Sequence, residues 1–428
     1  MKFVADLHIH SRFSRATSSD LTAENLWLWG QYKGINLVGT GDCIHPLWLK
    51  ELEERLEPED SGFFRLRPSI AAGLSAQVPS SCRAEVRFVL STEISCIYKK
   101  NAKVRKVHCV VIFSSLAACC SFQQRLAVLG NIKSDGRPIL GLDAKDLLAL
   151  ALECDPQVLF VPAHIWTPWF SVLGAASGFD SLKECFEDLV SHVFAVETGL
   201  SSDPAMNWRL SGLDDVILLS NSDAHSVSKL GREANLFDTE FSYSGVYRAL
   251  ADRKDPGMTG TIEFFPEEGK YHYDGHRACK VRLHPRETAD AQGACPVCGK
   301  PVTTGVMSRV EALADHPQGR RGLRARPYFN LVPLEEVIAE SRGVGCQSKQ
   351  VRQAWFEMIS RLGPELEILM ERPLADIAAV GGDLLAEGIR LMREGKIMIQ
   401  PGYDGEYGVI RIFDELRRKN VRGQLSFL

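Results

Sequence analysis

The sequence predicts an α/β protein: a (β/α) barrel, then a small zinc-binding domain, then a helical C-terminal module. Three observations predict it. Short apolar runs alternate with helix-like segments over residues 1–262, the order that builds parallel strands covered by helices. Several of those runs end in histidine or a carboxylic acid, at the end of the strand where barrels place their chemistry. A Cys-x-x-Cys knuckle within 263–305 and amphipathic helical patterns through 306–428 follow.

Bulk properties narrow the class. A chain of 428 residues has room for two or three domains, and 45% hydrophobic with 24% charged residues is ordinary globular composition. A net charge of −4 and a pI near 6.3 argue neither for nor against nucleic acid, whose binding needs only a local basic patch. No apolar run approaches the roughly 18 residues of a membrane span, and Met1-Lys2-Phe3 leads straight into a strand. A cytoplasmic protein without membrane partners is expected. Most of the twelve cysteines, Cys109, Cys119 and Cys120 among them, sit in apolar surroundings and read as reduced core thiols.

The first strand carries Asp6-Leu7-His8-Ile9-His10. Strand side chains alternate faces, so His8 and His10 point the same way, and neutral imidazole is the commonest metal ligand. Two hydrogen-bonded core histidines are the plainer reading. A helix at about 23–32 leads to a second strand, 35–42, ending in Asp42, which could instead shape a turn. Residues 51–60 read as an acidic, solvated helix face, and the Pro-, Ser- and Ala-rich stretch 61–84 as a surface insertion. A hairpin, 86–98 and 104–113, carries Glu93 and His108. After a helix at 144–152, a buried strand ends in His164; the next ends in Glu197, which could cap a helix. The run 216–225 ends in Asp223 and His225. The candidate metal set is His8, His10, Asp42, Glu93, His108, His164, Asp223 and His225, which holds five of the eleven histidines. Clustered divalent ions polarise a phosphoryl oxygen and lower the pKa of water. Imidazole-rich ligation favours Zn²⁺, Mn²⁺ or Fe²⁺, with Mg²⁺ the poorer match.

This series resembles the PHP (polymerase and histidinol phosphatase) superfamily. The resemblance implies a distorted (β/α)7 barrel with a two- or three-metal phosphoesterase site. Carried over by position, His8, His10, Glu93 and Asp223 would hold one metal. Bridging Glu93 would share a second with His108 and His164, and Asp42 with His225 would hold a third.

Downstream, His276, Cys279, Cys295 and Cys298 form two short pairs separated by a loop, the pattern of a closed structural zinc site. His272 or His284 could replace His276. Arg320, Arg321, Arg324 and Arg326 lie in a loop free of acids, a candidate phosphate contact or a plain solvated loop. Helices are expected at 334–342, 349–362 and 375–392. The Gly343-Val344-Gly345 turn between the first two resembles a helix-hairpin-helix, where backbone N–H groups meet a DNA phosphate. Residues Gln424–Leu428 resemble a peptide that binds the replication sliding clamp.

The opening 6–14 motif, Gly39–Asp42, Ala163–Phe170, Ser220–His225, Tyr271–His276 and Cys295–Lys300 together resemble the endonuclease Q family. That resemblance implies a DNA-repair endonuclease cutting 5′ to a deaminated base (uracil, hypoxanthine, xanthine) or an abasic site. His8, His10, Glu93, Asp223, His225 and Arg232 are expected to carry the chemistry, with Arg232 meeting the scissile phosphate. Trp166 and Trp169 would wall the lesion pocket or wedge the base stack. Lys99, Lys100 and Lys103, with Arg105 and Lys106, would hold the phosphate backbone. A small-molecule phosphatase would explain the barrel but leave the C-terminal module idle, and a binding module with a degenerate site does not explain the full ligand set.

Overall fold

The computed structural model describes residues 1–414, so Gln424–Leu428 lies outside the described residues. Strand β1 (Lys2–Asp6) pairs in parallel with β2 (Leu37–Gly39). Next come β3 (Leu56–Pro58), β4 (Phe64–Leu66) and β5 (Arg87–Val89), with β5 parallel to β2 and the other two antiparallel outside it. Strands β6 (Ser91–Lys100) and β7 (Lys103–Ile112) form a hairpin in unbroken register, Ser91 opposite Ile112 and Lys100 opposite Lys103. It is flanked by β8 (Ile139–Leu140) and β9 (Leu159–Pro162). Strands β10 (Ala195–Glu197) and β11 (Ile217–Leu219) pair in parallel. Then β12 (Ala234–Asp238) and β13 (Met258–Glu263) extend the large sheet on the far side of β1.

Hydrogen bonds beyond the strand ends link these pieces into a circuit. Ile165 N–H donates to the Glu197 carbonyl (3.0 Å), and Thr198 N–H to that of Leu219 (2.8 Å). Asp223 N–H donates to His8 O (2.9 Å), and an Ile9–Ala224 bridge returns the circuit to the extension of β1. Gly39 permits the tight approach at its centre: a Cβ there would strike the Leu7 carbonyl and Ser91 Oγ. Helices cover the circuit with side-chain caps where the sequence supplies them: Thr22, Ser115, Asp143 and Ser242 each accept a first-turn N–H.

Residues 61–84 are not a surface insertion. Phe63, Phe64, Leu66, Val78 and Cys82 are buried, β4 belongs to the large sheet, and Ser81 Oγ donates to the carbonyls of Ile359 (2.8 Å) and Ser360 (2.9 Å). Its Pro, Ser and Ala residues conceal apolar positions spaced for burial.

After β13 the chain forms the small hairpin β14 (Asp274–His276) and β15 (Val281–Leu283), then re-enters the large sheet as β16 (Tyr328–Asn330), parallel to β13. The helices Lys349–Leu362 and Glu365–Met370 pack on the helix Ala23–Lys33: Trp29 stacks on Trp355 (5.4 Å), and buried Lys33 pairs with Glu365 at 2.7 Å; the helix Leu334–Arg342 packs in turn on Lys349–Leu362. The expected 375–392 helix is two, Leu374–Gly381 and Asp383–Arg393, broken at Gly382 (φ 90°). Strands β17 (Met398–Gln400) and β18 (Val409–Arg411) bring the chain back to the β14–β15 hairpin, where Tyr273 N–H donates to Gly402 O (2.9 Å). Ile9, Val337 and Trp355 share one hydrophobic core, so packing runs across the expected boundaries at 262 and 305. Among the described residues no helix is long and apolar enough to cross a membrane.

Candidate metal centre

His8 and His10 follow β1 with ring centroids 5.6 Å apart. Each ring is held from behind. His8 Nδ1 lies 3.0 Å from both Glu197 oxygens, and His10 Nδ1 3.1 Å from Asp42 Oδ1. That leaves each Nε2 facing Glu93 Oε2 (3.6 and 3.3 Å) and Asp223 Oδ1 (3.8 and 3.0 Å). Ligand atoms of His8, His10, Glu93 and Asp223 all lie within 4.8 Å of one another, as do those of Glu93, His108 and His164. Glu93 belongs to both groups; its Oε1 lies 2.6 Å from His108 Nδ1 and 3.1 Å from His164 Nε2.

Buried His8 Nε2, His10 Nε2 and Asp223 Oδ1 lack any partner with hydrogen-bond geometry. Leaving such atoms unpaired is costly, unless a cation accepts their lone pairs. Imidazole nitrogens and carboxylate oxygens converging this closely, with each ring oriented by an outer carboxylate, fit divalent metals.

The electrostatics agree. Burial opposes charge on His8 and His10, yet Glu197 and Glu93 around one, and Asp42 and Asp223 around the other, raise both rings well above the ordinary histidine value. Burial would likewise raise Glu93, but His108 and His8 hold it well below the usual carboxylate range. His108 is lowered by burial.

Other expected residues fall elsewhere. Asp42 is in neither ligand group: besides facing His10 it accepts Ser11 N–H (2.7 Å), Ser11 Oγ (2.7 Å) and Ser14 Oγ (2.8 Å). His225 also lies outside the groups, its Nδ1 2.8 Å from the Asp223 carbonyl. Arg232 faces backbone, donating to the carbonyls of Ser222 (2.8 Å) and Asp223 (3.4 Å). Trp166 is core, donating to Asn207 Oδ1 (2.7 Å), while Trp169 is 57% exposed with Lys106 over its ring (5.3 Å). Lys99 and Lys103 are exposed at the hairpin tip; Lys100 pairs with Asp143 and Glu187. The arginine loop binds its own protein. Arg320 forks onto Asp214 (2.7 Å twice), Arg324 donates to Leu250 O (3.2 Å), and Arg321 lies over Trp208 (5.6 Å). Gly343 and Gly345 are exposed and line a 560 Å³ cleft with Lys229 and Arg411. Two residues were missed as site residues. Glu197 stood in the strand-end pattern that marked the others; Arg137, 3.1 Å from Glu93, sits in a loop without any motif.

Ligand atoms of His276, Cys279, Cys295 and Cys298 form a third group within 4.8 Å. His272 is outside it and lowered to about 4 by burial, and His284 caps the helix Pro285–Asp290.

Fold and site define a mixed α/β protein built round a carboxylate-bridged pair of candidate metal-ligand groups. Some known proteins share nearly all of its length. The crystal structure of the lesion-specific endonuclease PfuEndoQ from Pyrococcus furiosus has a TM-score of 0.83 and 32% identity, covering 97% of this chain and 96% of that one. An endonuclease Q complexed with a 27-mer duplex carrying an abasic lesion at the active site has a TM-score of 0.82 and 32% identity over 98% of each. The uncharacterized protein YqxK of Bacillus subtilis is 31% identical over 96% of this chain and 99% of its own length. The uncharacterized protein MJ0043 of Methanocaldococcus jannaschii is 34% identical over 259 residues, 58% of this chain, and the chain spans only 31% of its length. The model of the MJ0043 C-terminal domain matches residues 333–396. The chain belongs to the endonuclease Q family.

Proposed function

We propose that this chain is a metal-dependent DNA-repair endonuclease that cuts the phosphodiester 5′ to a deaminated base (uracil, hypoxanthine or xanthine) or an abasic site. The observation that carries this reading is Glu93 shared between two ligand groups, since paired cations suit in-line displacement at phosphorus. Family membership supports the DNA substrate, and the strand circuit is read as a distorted (β/α)7 barrel.

His8, His10, Glu93 and Asp223 would hold one divalent ion; Glu93, His108 and His164 a second. His276, Cys279, Cys295 and Cys298 would hold a structural zinc. Ions held there would supply Lewis-acid polarisation of the phosphoryl group and lower the pKa of water. Asp42 and Glu197 keep both Nε2 atoms turned inward. His225, with Nδ1–H directed at a carbonyl, would take a proton from the attacking water at Nε2. In the hydrolysis the water oxygen bonds to phosphorus and the P–O3′ bond breaks. The departing oxygen takes a proton, leaving 3′-hydroxyl and 5′-phosphate ends. Exposed Trp169, Lys99 and Lys103 would contact the DNA around the lesion, and Gln424–Leu428 would bind a sliding clamp.

Incubating metal-loaded protein with uracil-containing duplex, undamaged duplex and a phosphomonoester tests the reading. Nicking of the first alone is expected. Phosphate release from the monoester without nicking, or inactivity on all three, overturns it.

A further inference from the structure

The loop 131–138 has no place in the ligand set, yet it is pinned at both ends of its course over the metal centre. Lys133 O lies 3.0 Å from His45 Nε2, and Gly136 N–H donates to Phe13 O (3.0 Å). Buried Asp135 accepts Arg15 N–H (3.3 Å) and Arg137 N–H (3.2 Å), while Ser95 N–H donates to Pro138 O (3.0 Å). Gly136 packs so closely that a Cβ would run into the Asp42 carboxylate and Ser14 Oγ. A backbone clamped this way has already lost the entropy that ordering a loop costs, so its side chain is delivered in place.

That side chain is Arg137. Its Nη1 donates to Glu93 Oε2 at 3.1 Å, the carboxylate common to both groups, and 26% of the side chain is exposed. Among the described residues Nε and Nη2 have no protein partner. Arg232, expected to meet the phosphate, is tied to carbonyls instead. A guanidinium offers several donors in a planar fork that matches two phosphate oxygens.

We propose that Arg137 is a catalytic residue that grips the scissile phosphate, donating from its Nε–Nη2 edge to the non-bridging oxygens while Nη1 holds Glu93. This rests on the phosphodiesterase reading and adds the residue that binds the reacting group. The competing role is positioning alone, with Arg137 merely neutralising Glu93.

The full-length metal-loaded protein separates the two. Arg137→Ala and Arg137→Lys are compared with wild type in three measurements: metal content by mass spectrometry, inorganic phosphate affinity by calorimetry, and single-turnover nicking of an abasic duplex. Expected for Arg137→Ala are unchanged metal content, phosphate affinity at least tenfold weaker, and nicking about 100-fold slower. Arg137→Lys, keeping charge without the fork, falls between. Unchanged phosphate affinity overturns the proposal, as does loss of metal in parallel with loss of phosphate. Should Arg137→Ala fail to fold, the phosphate titration of Arg137→Lys decides: an affinity equal to wild type overturns the assignment. If wild type nicks no lesion yet binds phosphate through Arg137, the repair reading fails and the phosphate site stands.

Discussion

Asp42 stands behind its neighbour His10, and that makes a sharp test. Asp42→Asn keeps the shape but removes the charge behind His10 Nδ1, so metal affinity should fall about 10- to 100-fold, read by chelator competition. Glu197→Gln should act alike through His8. Glu93→Gln should do more, costing both groups a ligand and abolishing measurable nicking. The histidine pair was legible because strand periodicity alone puts His8 and His10 on one face. The role of Asp42 was not, since spacing cannot tell which nitrogen of an imidazole a carboxylate meets. Nor could spacing show that Asp42, His164 and Asp223 have φ of 48°, 30° and 46°. Strain of this kind, of order 1–3 kcal/mol per residue, persists only where the surroundings over-determine it.

Between elements, Glu365 joins three parts of the chain: it pairs with Lys33, accepts Trp355 Nε1–H at 2.6 Å, and accepts Leu334 N–H at 3.3 Å. Glu365→Ala strands a buried lysine, so chemical denaturation should show a loss of about 3–5 kcal/mol. The double replacement Lys33→Met with Glu365→Met should recover much of it. The arginine loop teaches the converse lesson. A run of four arginines without acids looks like a nucleic-acid contact, but its acceptors are Asp214, Leu250, Asp252 and Met258, far back in the sequence. Local charge patterning reports on neighbours in the chain, whereas these side chains strap the loop to helix ends and a strand made earlier. The alternating strands and helices, by contrast, were readable because their hydrophobic periods are local.

Across the whole molecule, Glu263 couples folding to pH. Burial pushes its carboxyl up to about 8, with Asp203 adding to the rise, although Thr261 and Thr198 hydroxyl groups donate to it. The folded state therefore prefers the protonated acid, while the unfolded chain ionises near 4.5. Its stabilising contribution is complete below about 4.5 and is lost as pH climbs through about 8. Melting temperature measured from pH 5 to 9 should fall less steeply in Glu263→Gln than in wild type.

The hairpin bearing His276 leans on residues made much later. Asp404 accepts Arg277 N–H (2.6 Å) and Thr303 Oγ–H (2.6 Å), and Tyr403 packs where Gly275 has no side chain. During synthesis the four thiol and imidazole ligands leave the ribosome well before this brace exists. A nascent chain must therefore carry them unsupported, open to oxidation or to the wrong ion. Asp404→Ala prolongs that condition indefinitely, and should yield protein whose proposed structural zinc is lost to mild chelators while its larger sheet stays folded.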